Sequence, residues 1–295
     1  MIAQTRKFLQ IIAIVLIAVI CQSSIEETGR SQMGSIKLIF RADDMASFHS
    51  ANIACIKTFR EGIARSVEIM VPCAWFPDAV KMLNENPGFD VGVHLVLTSE
   101  WDNVKWRPLT HAPSLVDKDG YFYQSIWGDA NKKPINCLLG TDWKIEEVEQ
   151  ELRAQIELAR KHLPQLTHLT AHMGCTNMSK EVKALVQRLA KEYKLGFEDD
   201  YGLKEMPGYG KAVSTSDKME AVIRNINELT PGTWVSIDHP GLEGAEMQTV
   251  NYNPADNLGK ERQAVTDIWT NEKVKKALQE KGVEIIGYKD IKTPY

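Results

Sequence analysis

A chain of 295 residues, 43% hydrophobic and 25% charged, lies within globular ranges and is long enough for one large core, so a single α/β domain is the default reading. The formal net charge of −4 supplies no basic field to gather phosphate backbones, which argues against nucleic acid as a partner.

Arg6 and Lys7 precede an apolar run over residues 8–20, interrupted only by Gln10, and a polar stretch follows over residues 22–34. That order is the pattern of an export signal, and the run is too short for a comfortable membrane span. Cys21 closes the run where a lipoprotein signal carries its lipidated cysteine, although Ile20 is bulkier than the small residue usual there. Cleavage, lipidation and an uncleaved anchor therefore stay open. Residues 1–34 are read as a signal plus a short linker, and residues 35–295 as one domain exported to the periplasm or held at the membrane. Export permits disulfides, but Cys55, Cys73, Cys137 and Cys175 show neither zinc-knuckle nor redox spacing and read as small buried apolar residues.

Beyond the signal, apolar runs of strand length alternate with segments of helical period. Strand at 36–41 leads to helix at 47–62, strand at 66–71, helix at 76–84 and strand at 90–97. After a long irregular insertion, a helix at 145–162 carries Val148, Leu152, Ile156 and Ala159 along one face, and Pro164 ends it. The second half repeats the rhythm: strand 167–171, helix 180–193, strand 195–198, helix 217–229 and strand 233–237. A long helix or a pair of helices at 256–281 and a last strand at 283–286 complete it. About seven strands in strict alternation imply parallel pairing and right-handed crossovers, and favour a closed or deformed (β/α) barrel over an open doubly wound sheet.

The chemistry gathers at strand ends. Asp43 and Asp44 follow the first strand, His94 lies in the third, His172 follows the fourth, and His239 follows a later one. Active sites of (β/α) barrels form at that carboxyl-end face. A carboxylate with two imidazoles makes a three-ligand site with an open position, so Asp44, His94 and His172 are the expected metal ligands. Asp43 is then the base and His239 the acid, because attack and expulsion need them on opposite sides of the reacting carbon. Consecutive strand residues point to opposite faces, so Asp43 and Asp44 share a site only if the strand ends or bulges there. The competing reading makes Asp44 a cap for the helix after Ser47, and each His a polar group satisfied by backbone.

The runs Arg41-Ala42-Asp43-Asp44-Met45 with Asn52, Gly92-Val93-His94-Leu95 with Leu97-Thr98, Thr167-His168-Leu169-Thr170-Ala171-His172, and Asp238-His239-Pro240 resemble the YdjC-like carbohydrate deacetylase family in order and spacing. The resemblance runs from about residue 36 to the C-terminus. It implies a deformed (β/α) barrel, one divalent ion on Asp44, His94 and His172, and hydrolysis of the linear amide of an N-acetylated amino sugar. Members often carry Phe-Gly where this chain has Met45-Ala46, and a run of histidines where it has His172-Met173-Gly174-Cys175. The Asp/His₂ donor set suits Zn²⁺, Co²⁺ or Mn²⁺, and the resemblance also allows Mg²⁺.

Substrate contacts are expected in the insertion between Leu97 and Thr141, where Trp101, Trp106, Tyr121, Phe122, Tyr123 and Trp127 crowd together. Trp101 and Trp106 are the expected exposed platforms, Arg107 the expected polar contact, and Gly208-Tyr209-Gly210 a mobile rim, though packing of the loop competes as an explanation. The alternatives are a metal-dependent hydrolase of another bond, such as a phosphoester, and an exported sugar-binding protein that has lost turnover. Only Arg41 stands beside the ligands as a cation in the sequence, which counts against the phosphoester.

Overall fold

The structure is a computed structural model that describes residues 34–128, 137–250 and 257–292. The expected export segment, with Cys21, and part of the insertion lie outside the described residues. Strand β1 spans Ile36–Met45, followed by helix α1 (His49–Arg60), β2 (Ser66–Ile69), α2 (Phe76–Asn84) and β3 (Asp90–Leu95). The insertion leads to α3 (Ile145–His162), β4 (Leu166–Ala171), α4 (Lys180–Tyr193) and the short strands β5 (Gly196–Phe197) and β6 (Lys204–Glu205). Then come α5 (Thr215–Glu228), β7 (Gly232–Asp238), α6 (Ala245–Gln248), α7 (Leu258–Trp269), α8 (Glu272–Lys281) and β8 (Val283–Ile285).

The strands form one sheet in the order β5-β4-β3-β2-β1-β7-β6, with β8 also on β1, and every pairing is parallel. β7 occupies one edge of β1 from Ile36 to Ala42. The other edge is shared: β8 pairs with Ile36–Leu38, and β2 takes over from Arg41. Wedging β8 below β2 splays the sheet, so it curls into the deformed barrel expected from the alternation, with β5 and β6 as its outer edges among the described residues.

Alternation along the strands divides the molecule into two environments. Leu38, Phe40 and Ala42 of β1, with Val67, Val91, Val93 and Leu169, face outward into the large cluster under the helices. The intervening residues face inward, where Ile39, Val235, Ile286 and Tyr288 form a small second cluster. Val148, Leu152, Ile156 and Ala159 of α3 are all fully buried, as their spacing predicts, and the first three contribute roughly 1.5–3 kcal/mol each.

Some boundaries move. β1 runs four residues beyond the expected 36–41, carrying the acidic pair into the sheet. The 256–281 segment is a pair of helices, broken where Asn271 caps α8 by accepting from Lys273 N at 2.9 Å. The two-residue β6 and the four-residue α6 carry too little periodicity to be anticipated.

Candidate metal centre

The strand meets the condition for sharing the acidic pair. Between Ala42, paired with Val67, and Met45, paired with Ile69, the register shifts: β1 spends three steps where β2 spends two. Asp44 takes φ 66° and Ala46 φ 82°, a conformation rare for non-glycine residues. The bulge turns Asp44 to the side Asp43 already faces. The Asn52 side chain accepts the Ala46 N–H at 2.7 Å and itself donates to Trp75 O and Asp78, clamping this turn. Ala46 thus sits in the left-handed region that glycine favours. Asp44 does not cap α1. Its side chain lies in the site, while Glu246 accepts from His49 N and Ser50 N at that helix's first turn.

Asp44, His94 and His172 come together at the floor of a cavity of about 550 Å³, with their donor atoms all within 4.8 Å of one another. Asp44 Oδ1 lies 3.6 Å from His94 Nε2 and 3.2 Å from His172 Nδ1, and it is buried without a hydrogen-bond partner among the described residues. An orphaned carboxylate oxygen between two imidazole nitrogens fits a divalent cation.

The tautomers agree. Thr170 donates its single hydroxyl proton to Glu68 Oε2 at 2.9 Å, so its oxygen accepts from His94 Nδ1 at 2.8 Å and leaves His94 Nε2 with a lone pair. His172 Nε2 faces Glu100 Oε2 at 3.0 Å; in the neutral ring, a proton held there leaves Nδ1 bare toward Asp44. Burial and the neighbouring His172 hold the His94 pKa well below its ordinary range. Burial opposes the charge of His172, but Glu100 and Asp44 raise its pKa to about 10 in the metal-free protein. Burial would likewise push the Asp44 carboxyl up, yet Arg262, His239 and His172 hold it well below the usual carboxylate range.

Asp43 is gripped by Arg41 of its own strand, with Nε and Nη2 each 2.8 Å from a carboxylate oxygen. Burial pushes the Asp43 pKa up, Arg41 offsets part of that, and the result is about 6. His239 stands at the mouth, its side chain 45% exposed, with Nε2 3.9 Å from Asp44 Oδ2. Desolvation works against its charge, but Asp44 and Asp238 raise its pKa. Asp43, Asp44, His94, His172 and His239 therefore line one cavity.

The expected exposure of the tryptophans is corrected. Trp101 and Trp106 are buried, 4% and 5% exposed, because the insertion needs a core of its own. Trp101 touches the cavity wall and lies 5.5 Å from the Arg262 guanidinium. Trp106 donates to Thr98 O at 2.7 Å and packs edge-on to His172 at 6.2 Å, behind the ligand. Arg107 stacks on Tyr121 at 4.5 Å beside a separate cavity and does not reach the centre. Tyr209 of the expected rim does line the cavity, and its hydroxyl donates to Asp238.

The sequence reading missed Arg262, Glu68 and the Glu100 partner of His172. Arg262 of α7 donates through Nη2 to Asp44 Oδ2 at 2.5 Å. Glu68, fully buried inside the barrel, accepts from Ser66, His168 and Thr170, each at 2.9 Å. Glu68 had a readable signal, since a period of two puts it inward on β2, opposite Gly92 and on the same face as His94 of β3. Arg262 had none.

The model of the YdjC-like protein family matches residues 37–280. A carbohydrate deacetylase of Thermus thermophilus is 38% identical over 161 residues, covering 54% of this chain and 51% of that one. A chitooligosaccharide deacetylase of Yersinia enterocolitica is 32% identical over 165 residues, covering 55% and 59%. The chain thus spans just over half the length of these two relatives. A carbohydrate deacetylase of Listeria monocytogenes is 24% identical over 267 residues, covering 87% of this chain and 100% of that one. A crystal structure from Enterococcus faecalis, described as a cellobiose-phosphate cleavage protein, shares the fold with a TM-score of 0.69 at 22% identity, covering 87% and 98%. With most of the barrel matched and the acidic pair and three histidines converging on one cavity, the chain belongs to the YdjC-like protein family.

Proposed function

We propose that this chain is a divalent-metal-dependent N-deacetylase that removes acetyl groups from amino sugars or their oligosaccharides and releases acetate. The observation that carries the proposal is the orphaned Asp44 Oδ1 between His94 Nε2 and His172 Nδ1 at the floor of a cavity flanked by Asp43 and His239. The names of the relatives, carbohydrate and chitooligosaccharide deacetylases, support the choice of substrate class.

Asp44, His94 and His172 would hold the ion, with Zn²⁺, Co²⁺, Mn²⁺ and Mg²⁺ as candidates. When bound, the ion polarises an acetamide carbonyl and makes water more acidic. Asp43 takes the proton of the attacking water; the Arg41 fork fixes the direction of its carboxylate, and a pKa near 6 keeps it both ionised and basic at neutral pH. His239, protonated and at the mouth, delivers its proton to the departing amine nitrogen. Acetate and a free amino sugar result.

A phosphoester remains the second reading, because Arg262 and Lys218 add cations that the sequence did not reveal. Each is already matched by a carboxylate: Arg262 by Asp44, Arg41 by Asp43, and Lys218 by Glu261. That leaves less positive charge for a phosphate than the count suggests.

The test is acetate release from a panel of N-acetylated sugars, beside phosphate release from a model ester, after adding back single metals to metal-free protein. Wild type should release acetate, Asp44→Ala should hold no ion, and Asp43→Asn should hold the ion with activity reduced by about 10²–10⁴-fold. Equal activity in all three overturns the proposal. The export reading of residues 1–34 accompanies it as a proposal about location. The mass of the mature N-terminus decides between cleavage, lipidation at Cys21 and an uncleaved anchor. Among the described residues, no helix is long and apolar enough to cross a membrane.

A further inference from the structure

The barrel interior holds an ionised cluster that the proposed chemistry does not use. Glu68 and His168 are fully buried and paired at 2.9 Å. A buried ion pair is a weak source of stability and is often replaceable by apolar side chains. The chain nevertheless makes room for this one: Gly92, in the middle of β3, sits where a Cβ would overlap Glu68 Oε2 and His168 Nε2. A strand residue is given up to keep the pair.

The hydrogen bonds run in one direction. Thr167 donates its hydroxyl proton to Asp90 Oδ1 at 2.5 Å, so it accepts from His168 Nδ1 at 2.7 Å. His168 then gives its Nε2 proton to Glu68 Oε1, which makes it an imidazolium. Glu68, with Ser66 and His168 on Oε1, has Oε2 left to take the Thr170 proton. Thr170, its proton committed, accepts from His94 Nδ1. With Glu68 held as a carboxylate by His168 and Arg41, each link fixes the direction of the next. The proton on His94 is therefore assigned by charges two and three side chains away.

We infer that Glu68 is a positioning residue that acts through Thr170 to lock His94 as the Nδ1–H tautomer and keep its Nε2 lone pair aimed at Asp44. This rests on the reading of Asp44, His94 and His172 as ion ligands. Ligating imidazoles depend on such outer partners, whose loss costs about 10–100-fold in metal affinity. The variant that isolates the effect is Glu68→Gln. With its carbonyl kept on Ser66 and His168, its amide turns an NH₂ toward Thr170, which then directs its own proton at His94 Nδ1 and drives the imidazole to the Nε2–H tautomer; a flipped amide shows as a neutral His168 in the same spectra, and Thr170→Val then decides. Thr170→Val removes the link with little change of shape, and Thr170→Ser restores it.

The test uses the full metal-free chain. The ¹⁵N shifts of His94 report its tautomer, and calorimetric titrations with Zn²⁺, Mn²⁺ and Mg²⁺ alone report affinity. The expected result is Nδ1–H in the wild type and Thr170→Ser, Nε2–H in Glu68→Gln, and affinity about 10–100-fold lower in Glu68→Gln and Thr170→Val. A purely structural role would lower thermal stability but leave the tautomer and affinity of the folded protein unchanged, and that outcome overturns the inference. If Glu68→Gln does not fold, Thr170→Val against Thr170→Ser decides alone. Wild type that binds none of the three ions defeats the metal reading instead, while the tautomer measurement still answers for Glu68.

Discussion

Arg262 closes on one oxygen of Asp44 at 2.5 Å across 218 residues of sequence, and leaves the other oxygen facing His94 and His172. The guanidinium neutralises a buried carboxylate and restricts it to a single free oxygen. Among the described residues, Arg262 Nε and Nη1 are buried without hydrogen-bond partners, so the contact with Asp44 is what holds the guanidinium.

Arg262→Ala should therefore destabilise the metal-free protein by about 3–5 kcal/mol, the cost of leaving one member of a buried pair uncompensated. A divalent ion supplies the missing positive charge. We predict that saturating ion raises the melting temperature of Arg262→Ala more than that of wild type, measured by calorimetry. An equal or smaller rise in the variant would count against the pairing argument.

The Ala46 turn gives a second prediction. Asn52 is fully buried and accepts the N–H of a residue at φ 82°. Asn52→Ala leaves that N–H unsatisfied, which costs about 1–3 kcal/mol, and frees the bulge that aims Asp44. Denaturant unfolding should show the loss, and ion titration should show weaker binding. Unchanged stability would mean that another group holds the turn.

The Glu68–His168 pair predicts a pH dependence of stability. Burial would raise the Glu68 pKa, but the charge and hydrogen bond of His168, with Arg41, hold it at about 2 against an ordinary 4.5. Burial would lower the His168 pKa, but Glu68 raises it above its ordinary 6.5. The Glu68 contribution is complete above its unfolded value and is lost as pH falls through about 2. The His168 contribution is complete below 6.5 and is lost as pH rises through the raised folded value. The stability of wild type minus that of the double variant Glu68→Gln, His168→Asn should thus peak between pH 4.5 and 6.5 and shrink on either side. A difference independent of pH would refute it.

With Trp101 and Trp106 buried, the aromatic surface near the cavity includes, in addition to Tyr209, which lines it, Trp127, 46% exposed. Its ring lies against Gly174, whose φ of 65° and missing side chain admit it beside Met173, and Met173 lines the cavity. If the deacetylase proposal holds, Trp127→Ala should raise KM for an N-acetylated trisaccharide by about 2–10-fold, as the loss of one aromatic stacking contact implies. Steady-state kinetics on oligosaccharides of increasing length would measure it. No change at any length would place Trp127 outside the binding surface.

The alternation of strands and helices was legible in the sequence because periods of 2 and 3.6 are local properties, and they put Asp43, Asp44, His94, His172 and His239 at strand ends of one barrel face. The bulge was legible only as a condition, since no glycine marks it and Ala46 adopts its conformation against propensity. The aromatic insertion misled, because composition announces rings but not whether they face solvent or one another. Glu68 and His168 follow the period-2 pattern and were readable in principle.

What the sequence by itself determined is the fold class and the identity of the groups that meet at the centre, because each is written in neighbours a few residues apart. What only the tertiary structure decided is how those groups are held: Arg262 on Asp44, Glu100 on His172, and Glu68 on His94 through Thr170. These partners lie far apart in sequence, and one Arg or Glu looks like any other along the chain. Packing alone, by excluding water and leaving each buried charge one available partner, selects which of them pair.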